Sequence, residues 1–364
     1  MNLRTPGPIP VPDDILERMS EPMINHRGPE FEDLLYRTTS RLKQILETNN
    51  DTYILTSSGT GGMEAAISNT LSPGDKVLCA TVGAFGDRFA QIAENFGADV
   101  TRLAFPLGTD IEVEKLRNAL VNTPDIKAVL ITHNETSTGV TNHLQEIAKV
   151  VKSEFDKLLL VDGISSACSI PLHTDIWQCD VVVAASQKGW MLPPGLAFVT
   201  FSERAWEAYS TSKMPKFYFD LGTYKRYFEN GQPPYTPAVS LMYALDLALD
   251  KILTEGLGNV FERHANIAAF TRAGLEKLGL SLFPHENVAS NTVTAANVPD
   301  GVNAQELINL ASEEHGVVIA NGQQSLNGKI IRIGHMGYCT ETEIEETLEA
   351  LSITLNKIRG VSLG

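Results

Sequence analysis

Short uninterrupted apolar runs alternate with longer stretches in which apolar residues recur at helical spacing. The runs at 53–56 (YILT), 76–80 (KVLCA), 127–132 (KAVLIT), 157–161 (KLLLV), 180–185 (DVVVAA) and 196–201 (LAFVTF) show no polar alternation. That texture predicts strands buried on both faces of a parallel sheet. Helical patterns over 61–71, 87–96, 113–121 and 144–155 separate many of them, and repeated β-α units predict right-handed crossovers in an open α/β sheet. Ligands of such sheets bind at the carboxyl ends of the strands. From about residue 237 the texture changes. Long amphipathic helices over 239–253 and 260–278 precede a strand at 292–295, a helix at 304–313, strands at 316–320 and 329–333, and a mostly exposed final helix at 342–358. The expected layout is a large domain over residues 1–255 and a smaller α+β domain over 256–364.

Composition narrows the function classes. The 364 residues are 43% hydrophobic and 20% charged, with 29 Lys and Arg against 44 Asp and Glu, a net charge of −15. A chain this acidic repels phosphate backbones and anionic lipid, so neither nucleic acid nor a membrane is an expected partner. No apolar run approaches the 18 residues or so that a membrane span needs, and the segment MNLRTPGPIPVPDD carries no signal-peptide core. Cys79, Cys168, Cys179 and Cys339 form no CxxC pair. Reduced thiols and a cytoplasmic location are therefore expected.

Three features carry chemistry, each at the end of a predicted strand. Ser57-Ser58-Gly59-Thr60-Gly61-Gly62 leads from YILT into a helix, where unpaired amides and small residues favour an anion; a plain strand-to-helix turn would look similar. Asp162 ends KLLLV, a costly place for a carboxylate unless a cation or hydrogen bonds meet it, although a helix-capping role would also account for it. Lys188 follows DVVVAA in Ser186-Gln187-Lys188-Gly189, where desolvation would lower its pKa and free a nucleophile; in isolation it could be a loop lysine. Together they match what pyridoxal phosphate requires: an anion cradle, a carboxylate for the ring nitrogen and an amine for the aldimine.

The chain resembles the class V aminotransferases of the fold-type-I pyridoxal-phosphate enzymes. The resemblance rests on TPGP at 5–8, SGTGGMEA, GAFGDR, HNETSTGV, VDGISS, SQKGWMLPPGL, PYTPAVSLMYAL and IIRIGHMG, nearly the whole length. HNETSTGV, SQKG and PYTP look most like alanine– and serine–glyoxylate aminotransferases, whereas 204–224 and NHRGPEF also look like the small subunit of a cyanobacterial soluble hydrogenase. The resemblance implies a mostly parallel seven-stranded sheet, with residues 1–15 packing near the small domain and active site. It implies that Lys188 forms the internal aldimine and Asp162 faces the pyridine nitrogen. Ser58, Gly59 and Thr60 would hold the phosphate, with a polar contact from Gln187. Phe85 would stack on the ring where many relatives have Trp, Ile164 would pack its other face, and Thr136 would reach the phenolic oxygen. Thr236 in PYTP would reach the phosphate of the other subunit of a homodimer with shared active sites. Pro233 stands where the alanine–glyoxylate enzymes have a tyrosine. Arg332 would bind the substrate carboxylate, and Gly7 would border the substrate.

The implied function is amino-group transfer from a small amino acid, alanine or serine, to the keto acid glyoxylate or pyruvate. The alternatives are another donor (aspartate, phosphoserine or an aminoalkylphosphonate) or an aminotransferase-like subunit serving a hydrogenase. Cys339 follows Arg332, whereas related desulfurases carry their thiol before the arginine, so it is read as a small buried or interfacial residue. His133 is read as structural, because Lys188 already fills the acid–base role. His26 and Arg27 are read as structural or approaching the partner's site, and the aromatics of 216–227 as packing or a dimer contact. No spacing suggests a metal.

Overall fold

The computed structural model describes residues 1–360. Seven strands form the central sheet: β1 (Asp51–Ser57), β2 (Lys76–Thr81), β3 (Asp99–Ala104), β4 (Ala128–Thr132), β5 (Leu158–Asp162), β6 (Val181–Ala185) and β7 (Gly195–Phe201). Their order is β1-β7-β6-β5-β4-β2-β3. Only β7 runs antiparallel to its neighbours. Every residue of β4, β5 and β6 is buried. Alternation persists beneath the uniform apolarity: Val129, Ile131, Leu159, Val161 and Val182 face one core, whereas Leu130, Leu160, Val181 and Val183 face a second on the other side of the sheet.

The sequence pattern missed β3. It is an edge strand whose residues are exposed or half-buried, and Arg102 on it pairs with Glu94. Charge on an edge discourages pairing with another chain and also removes the apolar signal. Also unpredicted is the helix Pro29–Ile45, whose Phe31, Leu34, Leu35, Leu42 and Ile45 are buried. It packs beside Val239–Glu255, and Arg37 and Arg41 both pair with Asp246. The helix expected over 144–155 begins as α-helix at Leu144–Ala148 and widens into a π-helix over Lys149–Glu154. The wider turn places Val150, Val151 and Lys152 together on the buried side, where Asp180 meets the Lys152 ammonium.

The smaller C-terminal part is α+β. Val293–Asn297, Ile330–Gly334 and Ala320–Asn321 form an antiparallel sheet, covered by the helices Leu257–Lys277, Ala304–His315 and Glu341–Ile358. The last helix is less exposed than expected, because Ile344, Leu351 and Leu355 join that core. The strand expected at 316–320 is divided. Val317–Val318 pairs with Asn2–Leu3, and Ala320–Asn321 pairs with Arg332 and Ile331. The N-terminal segment is thereby tied to the C-terminal sheet. The Gly334 N–H also donates to the Arg4 carbonyl, and the Arg4 guanidinium meets Glu343 and the buried Cys339 thiol. Among the described residues no helix is long and apolar enough to cross a membrane.

Candidate active site

The carboxyl ends of β1, β5 and β6 converge, as the crossover connections require. They open onto a cavity of about 280 Å³ lined by Gly7, Ser58, Gly59, Thr60, Phe85, Thr136, Asp162, Ile164, Gln187 and Lys188. These are all the sequence-predicted site residues except Arg332 and Thr236.

Asp162 is the last residue of β5 and is buried. Burial raises its pKa to about 7 against the N–H donated by Ile164, and the Lys188 charge opposes the rise. Among the described residues no cation hydrogen-bonds to it. Lys188 is also buried. Desolvation lowers its amine to about 8, opposed by Asp162 and assisted by Arg332 and Arg88. Lys188 Nζ donates to the Pro6 carbonyl. Gly7 follows at φ +129, and a Cβ there would lie 2.5 Å from Nζ, so only glycine admits the lysine at this point.

The helix Gly59–Thr70 begins at Ser58 without a side-chain cap, and its first closed turn runs from the Gly62 N–H to the Ser58 carbonyl. The preceding amides have no intrahelical acceptor. A Cβ at Gly59 would meet Ile164 Cδ1 at 2.5 Å, so the small residue lets this turn close on the cavity wall. The Gln187 Oε1 beside it is buried and has no partner among the described residues.

Glu135 organises the opposite wall. It is fully buried. One oxygen accepts the N–H groups of Phe85 and Gly86, both at 3.0 Å. The other accepts the Ser137 N–H at 3.0 Å and the Ser137 hydroxyl at 2.6 Å. The helix Ala84–Asn95 has no cap from its own Gly83, so Glu135 and Ser137 cap it from a neighbouring loop. This clamp fixes Phe85 relative to Thr136. Thr136 in turn offers its carbonyl to Arg332 Nη1 at 3.0 Å, while Arg332 Nε donates to the Asn321 carbonyl at 2.8 Å. Arg332 is thus buried beside the cavity and held on two sides, and desolvation brings its pKa down to about 10.

Thr236 is exposed and lies outside the cavity of its own chain. Arg27 donates to Gln232 Oε1 and to the Pro233 and Pro234 carbonyls, so its guanidinium holds the loop that carries Thr236. His133 is buried edge-on against Trp177, with Nδ1 unpartnered among the described residues. Burial lowers its pKa to about 3.

Three residues escaped the sequence reading. Glu135 lies within HNETSTGV, but only burial reveals its four donors. Arg88 lines the cavity with its guanidinium 4.9 Å from the Phe85 ring centroid; its position one helical turn after Phe85 was the available signal. Gln323 also lines the cavity, and its sequence surroundings give no sign of it.

Comparison with known proteins identifies the family. The class-V aminotransferase family matches residues 16–347. The small subunit of a soluble hydrogenase from Synechococcus sp. is 39% identical, covering 98% of this chain and 93% of that protein. An L-aspartate–glyoxylate aminotransferase from Paracoccus denitrificans is 38% identical over 92% of this chain and 86% of its own. The crystal structure of an alanine–glyoxylate aminotransferase from Nostoc sp. superposes with a TM-score of 0.94 at 32% identity, covering 97% of this chain and 95% of that one. The chain belongs to the class-V aminotransferase family.

Proposed function

We propose that this aminotransferase uses pyridoxal 5'-phosphate to move an amino group from a small amino acid, alanine or serine, to glyoxylate or pyruvate, both substrates using one site in ping-pong order. One observation carries the reading: a single cavity holds an amine lowered to about 8 and a buried carboxylate that has no hydrogen-bonded cation among the described residues. The donor set fits the cofactor. Among the described residues the amides at Ser58–Thr60 have no side-chain cap and, with their hydroxyls, suit an anion, Gln187 offers an unpartnered oxygen, and Asp162 suits a positive group.

In this reading Ser58, Gly59, Thr60 and Gln187 hold the phosphate, joined by Thr236 of the partner subunit. Phe85 and Ile164 enclose the ring, Thr136 meets its phenolic oxygen, and Asp162 keeps a proton on its nitrogen. The bound cofactor supplies a carbonyl that takes up the amino group and a ring that withdraws electrons. Lys188 Nζ anchors the cofactor, removes the donor's α-proton and redelivers it. Arg332 grips the α-carboxylate with the planar fork that lysine lacks. Gly7, pressed against Lys188, leaves room for a short side chain.

Aspartate is a second reading. The Paracoccus relative bears its name, and Arg88 makes no hydrogen bond or ion pair among the described residues, leaving a cation for a side-chain carboxylate. A hydrogenase subunit without turnover would have no need of a desolvated lysine beside a carboxylate. A donor-by-acceptor matrix on purified holoenzyme, with cofactor absorbance followed through the first half-reaction, tests all of these. Failure of every amino acid to bleach the cofactor would overturn the proposal.

We also propose a homodimer, a domain boundary at residues 255/256 and a cytoplasmic location. Exposed Thr236 beside Phe217 and the stacked pair Tyr218–Tyr235 supports the dimer. Gly256, with φ 82, separates two helices at the proposed boundary. Four free, buried cysteines support a reducing compartment. Sedimentation showing a fully active monomer would remove the dimer.

A further inference from the structure

We infer that Gln323 is a specificity-determining residue that favours a donor with a hydroxyl on its β-carbon, as in serine, over alanine; this rests on the aminotransferase reading above. Two residues that line the cavity, Gln187 and Gln323, each carry a buried side-chain Oε1 with no hydrogen-bond partner among the described residues. Gln187 precedes the anchoring lysine and is accounted for at the phosphate. Gln323 comes from the C-terminal part of the chain and has no task in the transfer described so far.

Its setting is rigid. The Gly322 N–H donates to the Ile330 carbonyl at 3.0 Å, and the Leu326 N–H to the carbonyl of Gln323 itself at 2.9 Å. The Gly328 N–H donates to Asn321 Oδ1 at 2.9 Å. A Cβ at Gly322 would overlap the Leu326 carbonyl, so the turn closes as tightly as backbone allows. The same turn carries the Asn321 carbonyl that holds Arg332 Nε. One short segment therefore orients the group for the α-carboxylate and, two residues on, presents a carboxamide to the cavity.

An unpaired buried carboxamide oxygen is costly, and the cost falls selectively on ligands that leave the half-buried amide unanswered. Alanine presents a methyl group and leaves Gln323 unsatisfied. A β-hydroxyl donates to Oε1 or accepts from Nε2, and so pairs with the amide in either orientation. The backbone near Gly7 admits a short side chain only, which leaves serine as the fitting hydroxyl donor.

The test uses 2-methylserine and 2-methylalanine, which have no α-proton to lose and so bind without turnover. Their dissociation constants are measured by cofactor absorbance on wild-type holoenzyme, Gln323→Leu and Gln323→Met, the last keeping the side-chain length should the leucine variant fold poorly. Wild type should prefer 2-methylserine by about tenfold or more, equivalent to the roughly 1.4 kcal/mol of one hydrogen bond. Either variant should abolish that preference, with 2-methylalanine affinity held within about threefold, and the serine-to-alanine ratio of kcat/KM should fall in parallel. Equal binding of both analogues by wild type, or equal weakening of both in the variants, overturns the inference. Discrimination between analogues without transamination of either parent amino acid would sink the aminotransferase reading and leave the selectivity of Gln323 standing.

Discussion

Replacing Glu135 by Gln keeps the shape of a buried side chain and removes one of its two acceptor oxygens. In the native clamp four donors converge on the carboxylate. With the remaining oxygen turned toward Phe85 and Gly86, the new NH₂ faces Ser137. The Ser137 hydroxyl can rotate to accept, but its N–H has nothing to donate to. One orphaned buried N–H costs about 1–3 kcal/mol, and loss of the negative charge at the helix start costs about 0.3–1 kcal/mol more. Relief of carboxylate desolvation, which pushes the Glu135 pKa up, offsets part of this. The expected net loss is about 1–3 kcal/mol, roughly 2–10 °C of Tm for domains of this size. Differential scanning fluorimetry on apo and holo protein reads it directly. Because the clamp also sets Phe85 against Thr136, cofactor affinity should weaken in the same variant, by about tenfold for each 1.4 kcal/mol. A Glu135→Gln protein within about 1 °C of wild type, with unchanged cofactor affinity, would refute the clamp.

Lys188→Ala should lose at least about 10²-fold in turnover while its circular dichroism stays native, since the general-base role alone is worth that much; multiple turnovers near the wild-type rate would remove Lys188 from the mechanism. Burial lowers the Lys188 amine to about 8, and only the neutral amine reacts, so acylation of Lys188 in the apo protein should rise about tenfold per pH unit below 8 and level off above it, as peptide mapping can measure. A rate still climbing beyond about pH 9 would mean the amine is not depressed. Arg332→Lys keeps charge but loses the fork, and kcat/KM should fall about tenfold or more for alanine and serine alike; an unchanged kcat/KM for both would show that Arg332 does not hold the carboxylate.

The inner strands were legible because β4, β5 and β6 are buried along their whole length and carry unbroken apolar sequence. The edge strand β3 was not, since three of its four exposed positions are occupied by Asp, Thr and Arg. Lys188 and Asp162 were legible because a charged residue closing an apolar run needs a reason to be there. Gln323 has no such contrast: it sits in a polar stretch, NGQQS, and only the closure of the 322–330 turn turns it inward. Glu135 was obscured differently, because its four donors come from segments about fifty residues apart and from its own loop.

The tie between the N-terminal segment and the C-terminal sheet also governs when the site can exist during synthesis. Arg4 meets Cys339 across 335 residues, and Pro6 meets Lys188 across 182. Contacts of such separation form late, because the closure entropy of a very long loop must be met before they contribute. Residues 2–7 therefore leave the ribosome long before their partners, and wait unpaired while the central sheet assembles. The wall of the cavity at Gly7 takes its place only after the pairing partners at 317–318 have emerged, so a nascent chain released short of them would carry the reactive lysine without the peptide that covers it.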